Sequence, residues 1–454
     1  MKTQILKSSQ AMKPISLLTL FLFFLTGSAF AQIASKVARS QIGGFDLVAC
    51  KTEVKDVVTF RGSLPAGDSF APKTNLAVPT LTGEMLDKGT TQHDKFAIAQ
   101  KLDEIGATMD FSVGGVMVEF RGKCLRKDLT TVINLLAEQL RTPSFPEAEF
   151  AKLKKQMIGD LQRALESTSY RANQAFAEKA FPVGHPNYTP PTKEFVAAIE
   201  AAKLEDVRLF HATYYGPVQS TLVVVGDFEL DALKRDLAQA FEGWSGGKTV
   251  SDFPTTAPAS QRHEQTIPMA DKPNVTFVMG QADGLKYKDQ DALALRVATA
   301  ALGSGFTGRL MANVRDKEGL TYGIGARVGS DEFTDGEWQI TANFAPDLLE
   351  KGVTSTNRQL DSWYKDGVTT AELERVKSNL IGTFKVGLAT TDGMANALLN
   401  AIHRGYSVNW LDEYPKRLQA LSLAEVNAAI KKHLQPDRMI VIKAGSVPPP
   451  TTRN

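Results

Sequence analysis

Hydrophobic positions along this chain follow two periods. Val116, Val118 and Phe120 alternate with Met117, Glu119 and Arg121, the two-residue period of a strand whose faces meet different surroundings. Short apolar runs over residues 45–50, 56–64, 222–225, 275–279, 322–328 and 337–344 read as further strands. Apolar residues three and four apart predict helices over residues 129–140, 148–165, 207–215, 292–302 and 370–388. Strands and helices mix without strict alternation. The expected class is therefore α+β, a sheet covered by helices on one face.

The pattern occurs twice. Ala148, Glu149, Lys154, Ile158 and Gly159 match Ala371, Glu372, Lys377, Ile381 and Gly382, each pair 223 positions apart. Leu204, Val207, Pro217 and Gly226 match Leu423, Val426, Pro436 and Gly445, each 219 apart. Preserved order with so small a drift implies two homologous domains, with a period far longer than that of solenoid repeats. Residues 245–260 read SGGKTVSDFPTTAPAS, a composition that suits an exposed linker. The expected organisation is a first domain over 32–244, a linker over 245–262, a second domain over 263–447 and a tail over 448–454.

Residues 1–31 stand apart. Lys2, Lys7 and Lys13 precede an apolar run over 15–25 that holds Phe21, Phe23 and Phe24, and Ser28-Ala29-Phe30-Ala31 supplies small residues for cleavage. This predicts a secretory signal cut after Ala31, with Met12 an alternative start. The run is too short to span a bilayer, so no membrane span is expected after cleavage, and the expected location is the periplasm or the exterior. The chain has 454 residues and a formal net charge of +2, which excludes disordered and collagen-like classes and gives no footprint for nucleic acid. Two cysteines exclude a disulfide scaffold and a four-cysteine zinc site. In an exported chain Cys50 and Cys124 either pair or stand as single buried thiols.

Several chemistries are missing. The histidines are His93, His185, His211, His263, His403 and His433, and no two lie within twenty residues. Neither H-E-x-x-H nor H-x-x-E-H, which sets two imidazoles on one helical face around zinc, can be drawn. Gly247-Lys248-Thr249 resembles the end of a phosphate loop, but Glu242 stands where that motif requires glycine.

Three segments nevertheless resemble the pitrilysin/insulinase family of zinc peptidases, which includes the mitochondrial processing peptidases. They are residues 84–90 (EMLDKGT), 220–228 (STLVVVGDF) and 303–326 (GSGFTGRLMANVRDKEGLTYGIGA). The resemblance implies paired α+β domains over nearly the whole chain. Active members carry H-x-x-E-H just before the first segment. Here Thr80 and Glu84 occupy the ligand positions, Gly83 replaces the general base, and Asp160 falls at the third ligand position. Threonine is a poor zinc ligand and glycine cannot accept a proton. The helix itself is expected to persist, with Pro79 near its start, Leu81 and Met85 on one face and Gly89 as its stop.

Arg315 and Tyr322 have the spacing of the family's substrate-clamping pair. A helix ending near Lys317, a stop at Gly319 and a strand from Tyr322 would set a guanidinium and a phenol on one side, as donors to a peptide carbonyl and its oxyanion. The bland alternative is an ion-paired arginine and a packed tyrosine. The resemblance implies a zinc-free, substrate-binding subunit of a heterodimeric metalloendopeptidase, inactive alone, with zinc on a homologous partner that carries H-x-x-E-H. The other readings are a non-proteolytic structural or peptide-binding member and a self-sufficient peptidase with an unusual metal site.

Overall fold

Two sheets carry the fold of this computed structural model, which describes residues 33–250, 253 and 256–447. The expected signal over 1–31 and the tail over 448–454 lie outside the described residues. The first half supplies β1 (Val37–Ile42), β2 (Phe45–Lys51), β3 (Val57–Leu64), β4 (Thr108–Val113), β5 (Val118–Leu125) and β6 (Thr221–Gly226), ordered β1-β2-β6-β3-β5-β4. The second supplies β7 (His263–Pro268), β8 (Val275–Ala282), β9 (Thr321–Gly329), β10 (Glu337–Phe344) and β11 (Ile440–Gly445), ordered β7-β11-β8-β10-β9. Without β1 the two orders superpose. In each half the last strand enters between two early ones, parallel to the first (β2 with β6, β7 with β11) and antiparallel to the second.

Helices of the first half are α1 (Val78–Glu84), α2 (Lys95–Glu104), α3 (Leu129–Arg141), α4 (Glu147–Ala164), α5 (Thr168–Ala180), α6 (Thr192–Ala201), α7 (Leu204–Tyr214) and α8 (Leu230–Ala240). The second half has α9 (Ala292–Gly303), α10 (Leu349–Asp366), α11 (Thr370–Gly387), α12 (Thr391–His403), α13 (Trp410–Ala420) and α14 (Leu423–His433). No helix among the described residues is long and apolar enough to cross a membrane.

The sequence repeat has a physical basis in this framework. Glu149 on α4 accepts a hydrogen bond from Lys95, and Glu372 on α11 accepts two from Arg309. Lys154 donates to the carbonyl of Ala202 beyond α6, and Lys377 to that of Gln419 in α13. Val207 and Val426 are fully buried on α7 and α14. Gly226 and Gly445 end β6 and β11 at φ of 141° and 143°, and a Cβ at either would strike the backbone of the neighbouring strand.

Each sheet packs one face on helices of its own half. Phe45, Leu47, Phe60, Phe120 and Val224 meet α3, α7 and α8, while Phe277, Trp338, Ile340 and Phe344 meet α9, α10 and α14. The opposite face is covered by a helix from the other half. Ala395, Leu398 and Leu399 of α12 lie on Val48, Val223 and Val225. Ala172, Ala175 and Phe176 of α5 lie on Val278, Ile440 and Ile442. Each exchanged helix starts at a threonine bonded to a threonine of the other half, Thr168 to Thr276 and Thr391 to Thr59, both at 2.8 Å.

Cys50 lies among the residues under α12, whereas Cys124 faces the core on the other side of the same sheet. Their strands, β2 and β5, are three positions apart, about 14 Å at about 4.8 Å per strand. A disulfide needs Cα atoms within about 7 Å, so the two stand as separate buried thiols. Burial raises both thiol pKa values, that of Cys124 to about 12. The linker is less exposed than its composition suggests: Ala257 is buried and donates its N–H to Asp335, and Phe253 packs edge-on against Phe70.

Because each half covers the other, truncations under the exchanged helices should destabilise the whole molecule. Phe176→Ala is expected to cost about 3–5 kcal/mol and Leu398→Ala about 2–5 kcal/mol, within a single unfolding transition. Urea denaturation followed by tryptophan fluorescence checks this; two separate transitions would contradict it.

Candidate functional site

The segment expected in place of the zinc motif forms α1, with Pro79 in its first turn. The helix stops at Glu84, five residues before the expected stop. Gly89 lies beyond it at φ 137°, in a bridge to Asp94. Leu81 and Met85 are fully buried together, as their spacing suggests.

The outward face of α1 carries Thr80 and Glu84, and between them Gly83 is buried. The Thr80 hydroxyl donates to Asp68 at 2.7 Å. A Cβ on Gly83 would lie 2.3 Å from Val113 Cγ2, so β4 fills the place of a side chain there. Behind it the Tyr215 hydroxyl is buried without a hydrogen-bond partner, and burial, with Asp68 and Glu84 nearby, raises its pKa. Desolvation of its carboxyl likewise raises Asp68 to about 6, against a smaller lowering by Thr80, and burial raises Glu84. Asp160 points to solvent from α4 and pairs with Arg163 of its own helix. These groups do not fit zinc. Of the ligand positions, Thr80 is committed to Asp68 and Asp160 to Arg163, Val113 fills the place of the general base over Gly83, and no group of three or more His, Cys, Asp or Glu among the described residues is arranged to hold a metal ion.

Arg315 and Tyr322 stand on a braced helix–turn–strand unit. Gly303, at the end of α9, lies so close to β9 that a Cβ would fall 2.2 Å from the Ala326 nitrogen. The following helix begins with Arg309, whose guanidinium grips Glu372 at 2.6 and 2.7 Å and the Gly367 carbonyl at 2.7 Å. Burial alone would raise the Glu372 pKa, but the hydrogen bonds from Arg309 and Thr369 outweigh it and bring it down to about 2. The helix then widens into a π-helical turn, Met311–Lys317, a form frequent at functional sites. Gly319 ends it at φ 63°, a left-handed value suited to glycine.

Thr321 opens β9 with its hydroxyl bonded to the Asn343 carbonyl. Strand alternation then turns Tyr322 outward, where it is 93% exposed. Arg315 lies over the Phe306 ring at 5.2 Å, with only a long 3.5 Å contact to Asp316. Phe306 is itself 70% exposed, so the unit presents two open aromatic rings beside a guanidinium paired with Asp316 at 3.5 Å. Of the bland alternative, the tyrosine is not packed, whereas the arginine does have an acid, Asp316, at 3.5 Å. Thr80, Gly83 and Glu84 share one helix of the first half, Arg315 and Tyr322 share the second-half unit, and among the described residues Asp160 is hydrogen-bonded and ion-paired with Arg163 of its own helix. Sequence spacing gave no signal for Asp68, Val113, Tyr215 or Phe306, which reach these places through tertiary packing.

Two outcomes follow from the α1 geometry. Rebuilding the motif as Thr80→His/Gly83→Glu/Glu84→His should not give a stoichiometric zinc site, because the third ligand position, Asp160, points to solvent and is held by Arg163; metal analysis finding one tightly held zinc per chain would contradict this. Asp68, raised above its unfolded value, favours the protonated folded state. Its contribution to stability is thus full below about pH 4 and falls as pH rises through about 6. Asp68→Asn should flatten the pH–stability curve between those values, and an unchanged curve would refute the assignment.

Comparisons with known proteins follow the same division. The model for Insulinase (Peptidase family M16) matches residues 47–185, and that for the Peptidase M16 inactive domain matches residues 201–380. A Helicobacter pylori protein named "Non-peptidase homolog YmxG" is 24% identical over 390 residues, covering 83% of this chain and 85% of that one. A crystal structure of a peptidase M16 inactive domain from Pseudomonas fluorescens superposes with a TM-score of 0.83 at 22% identity, over 91% of this chain and 98% of that one. A Helicobacter pylori protease structure gives 0.80 at 17% identity, over 90% and 98%. The two sheets of like topology, the segment in place of the zinc helix and the family matches agree, and this chain belongs to the insulinase family, peptidase family M16.

Proposed function

We propose that this chain is the zinc-free, substrate-binding subunit of a two-chain metalloendopeptidase that acts on peptides or unfolded polypeptides in the cell envelope. The observation that carries this reading is the contrast between the two halves. On α1 Thr80 is bonded to Asp68 and Val113 fills the general-base position over Gly83, while Tyr322 stands 93% exposed on a braced unit beside Arg315. The inactive-domain match and the non-peptidase name of the Helicobacter relative support the absence of self-sufficient catalysis. The partner in this reading is a homologous chain with H-x-x-E-H, and its zinc supplies the activated water. Arg315 and Tyr322 hold the peptide and donate to the oxyanion from the facing wall. The signal over residues 1–31 supports an envelope location, and sequencing the mature protein should find Gln32 at its N-terminus.

Tyr322→Phe removes one hydroxyl and no packing, since the ring is in solvent. In the assembled complex kcat is expected to fall on the order of 100-fold, with less change in KM. Arg315→Ala should lower kcat/KM at least as far and also weaken substrate binding. Thr80→Ala should change peptide cleavage little, because Thr80 bonds only Asp68. Steady-state kinetics on a quenched peptide decide the matter. Near wild-type activity for both Tyr322→Phe and Arg315→Ala would leave the chain a structural or peptide-binding member.

A further inference from the structure

Tyr322 stands on an irregularity of β9. Thr321 pairs with Phe344 and Ile324 with Ala342, so Tyr322 and Gly323 together face the single residue Asn343 of β10. This is a β-bulge, a device that re-aims a side chain. Ile324, Ala326 and Val328 pack on the core of the second half, and alternation counted back from them would turn position 322 inward. The extra residue lets Thr321 stay buried while Tyr322 faces solvent. The Thr321 hydroxyl locks the bulge, donating to the Asn343 carbonyl and accepting the Gly323 N–H at 3.2 Å.

Asn343 shares the outward face with Tyr322. Its neighbours Ala342 and Phe344 are buried under helices of the second half, so its side chain points to the other face, onto which α5 packs. There the α5 cluster takes in residues of β8 and β11 and none of β10 or β9. Asn343 is accordingly exposed. Its amide is nevertheless held in one orientation. Oδ1 accepts the Thr276 hydroxyl at 2.8 Å, and Thr276, its proton so used, accepts from Thr168 of α5 at 2.8 Å. Thr276 is only 3% exposed. This row of hydroxyls turns Nδ2 away from Thr276, and Nδ2 has no hydrogen-bond partner among the described residues. Packing does not require such a row, because apolar groups of like shape in place of a buried polar pair are nearly neutral. What the row fixes is the direction of two amide donors.

We propose that Asn343 is a further substrate-binding residue, whose Nδ2 donates to a main-chain carbonyl of the peptide that Tyr322 and Arg315 hold. This rests on the proposed substrate-binding role of the chain. Residues facing one another across paired strands have Cβ atoms about 5 Å apart, so the amide and the phenol rise from neighbouring points of one face. The phenol reaches farther from the sheet than the shorter amide, so the two take different carbonyls. Every residue of a peptide carries that acceptor, so Asn343 adds affinity for unfolded chain without a side-chain preference. A donor to a carbonyl other than the scissile one acts alike in the ground and transition states. Its loss therefore raises KM and spares kcat, the reverse of the effect expected for Tyr322.

Asn343→Asp tests this with the shape and the Thr276 bond kept and the donor replaced by an oxygen. In the assembled complex KM for an unfolded peptide should rise about 10-fold, with kcat within about twofold. Thr276→Val, which frees the amide to turn over, should raise KM about threefold, and Thr276→Ser should restore it. The Asn343→Asp increase should be alike for two peptides of unrelated sequence; an increase confined to one contradicts a main-chain contact. An unchanged KM in Asn343→Asp, with kcat lowered in Tyr322→Phe, overturns the Asn343 assignment and leaves the clamp standing. Binding of a labelled unfolded peptide, followed by fluorescence anisotropy, is the second readout. Asn343→Asp should weaken it about 10-fold. Such weakening, with turnover indifferent to Tyr322→Phe and Arg315→Ala, upholds the Asn343 contact and removes the oxyanion role. Equal binding by wild type and Asn343→Asp, or no peptide binding by wild type either alone or in the complex, overturns the proposal.

Discussion

The exchange of α5 and α12 between the two halves is the constraint on which the rest depends. Each sheet has two apolar faces, and its own helices cover only one. An uncovered face of Val48, Val223 and Val225, or of Val278, Ile440 and Ile442, would be a large apolar patch in water. Duplication solves this by symmetry, since the helix that each half lends has the same place in its own sequence, 223 positions apart. The buried threonine pairs fix where each helix starts. Polar anchors also mark their far ends, His403 to Ser63 and His185, just past α5, to Asp335. The seam between the halves is therefore a core.

Within this symmetric frame the two halves have diverged at equivalent places. The Lys95–Glu149 contact in the first half and the Arg309–Glu372 contact in the second occupy like positions. In the second half the bidentate arginine braces a π-helical turn that presents Arg315 and leaves Tyr322 in solvent. In the first half α1 keeps its packing through Leu81 and Met85 while Val113 fills the space over Gly83. The buried face of α1 and its outward face are independent, so the packing does not depend on which groups the outward face carries. The proposed reading, a subunit that keeps a substrate clamp without a metal, requires that separation.

Much of this was legible in the sequence. The strands with strong apolar runs, β2, β3, β6, β8 and β10, were anticipated because they are buried on both faces. Of the unanticipated strands, β1, β4 and β7 lie at sheet edges, where half of each strand is solvated and the pattern fades, whereas β11 lies inside its sheet and was missed because its six residues are broken by Lys443. The end of α1 was placed too late, since Gly89 closes a bridge to Asp94 rather than a helix. The exposure of Tyr322 followed from a turn and strand alternation, both local. The contacts of Asp68, Val113, Thr276 and His403 join residues far apart in sequence, and no spacing rule reveals them.

The account's central claim is a division of labour between two chains, and reconstitution tests it most directly. Each chain is purified alone, the zinc content of each is measured, and hydrolysis of an unfolded polypeptide is followed for each and for their mixture. The account predicts zinc only on the partner, negligible hydrolysis by either chain alone, and hydrolysis by a stable one-to-one complex. Cleavage by this chain alone, or a mixture no more active than the partner by itself, would contradict it.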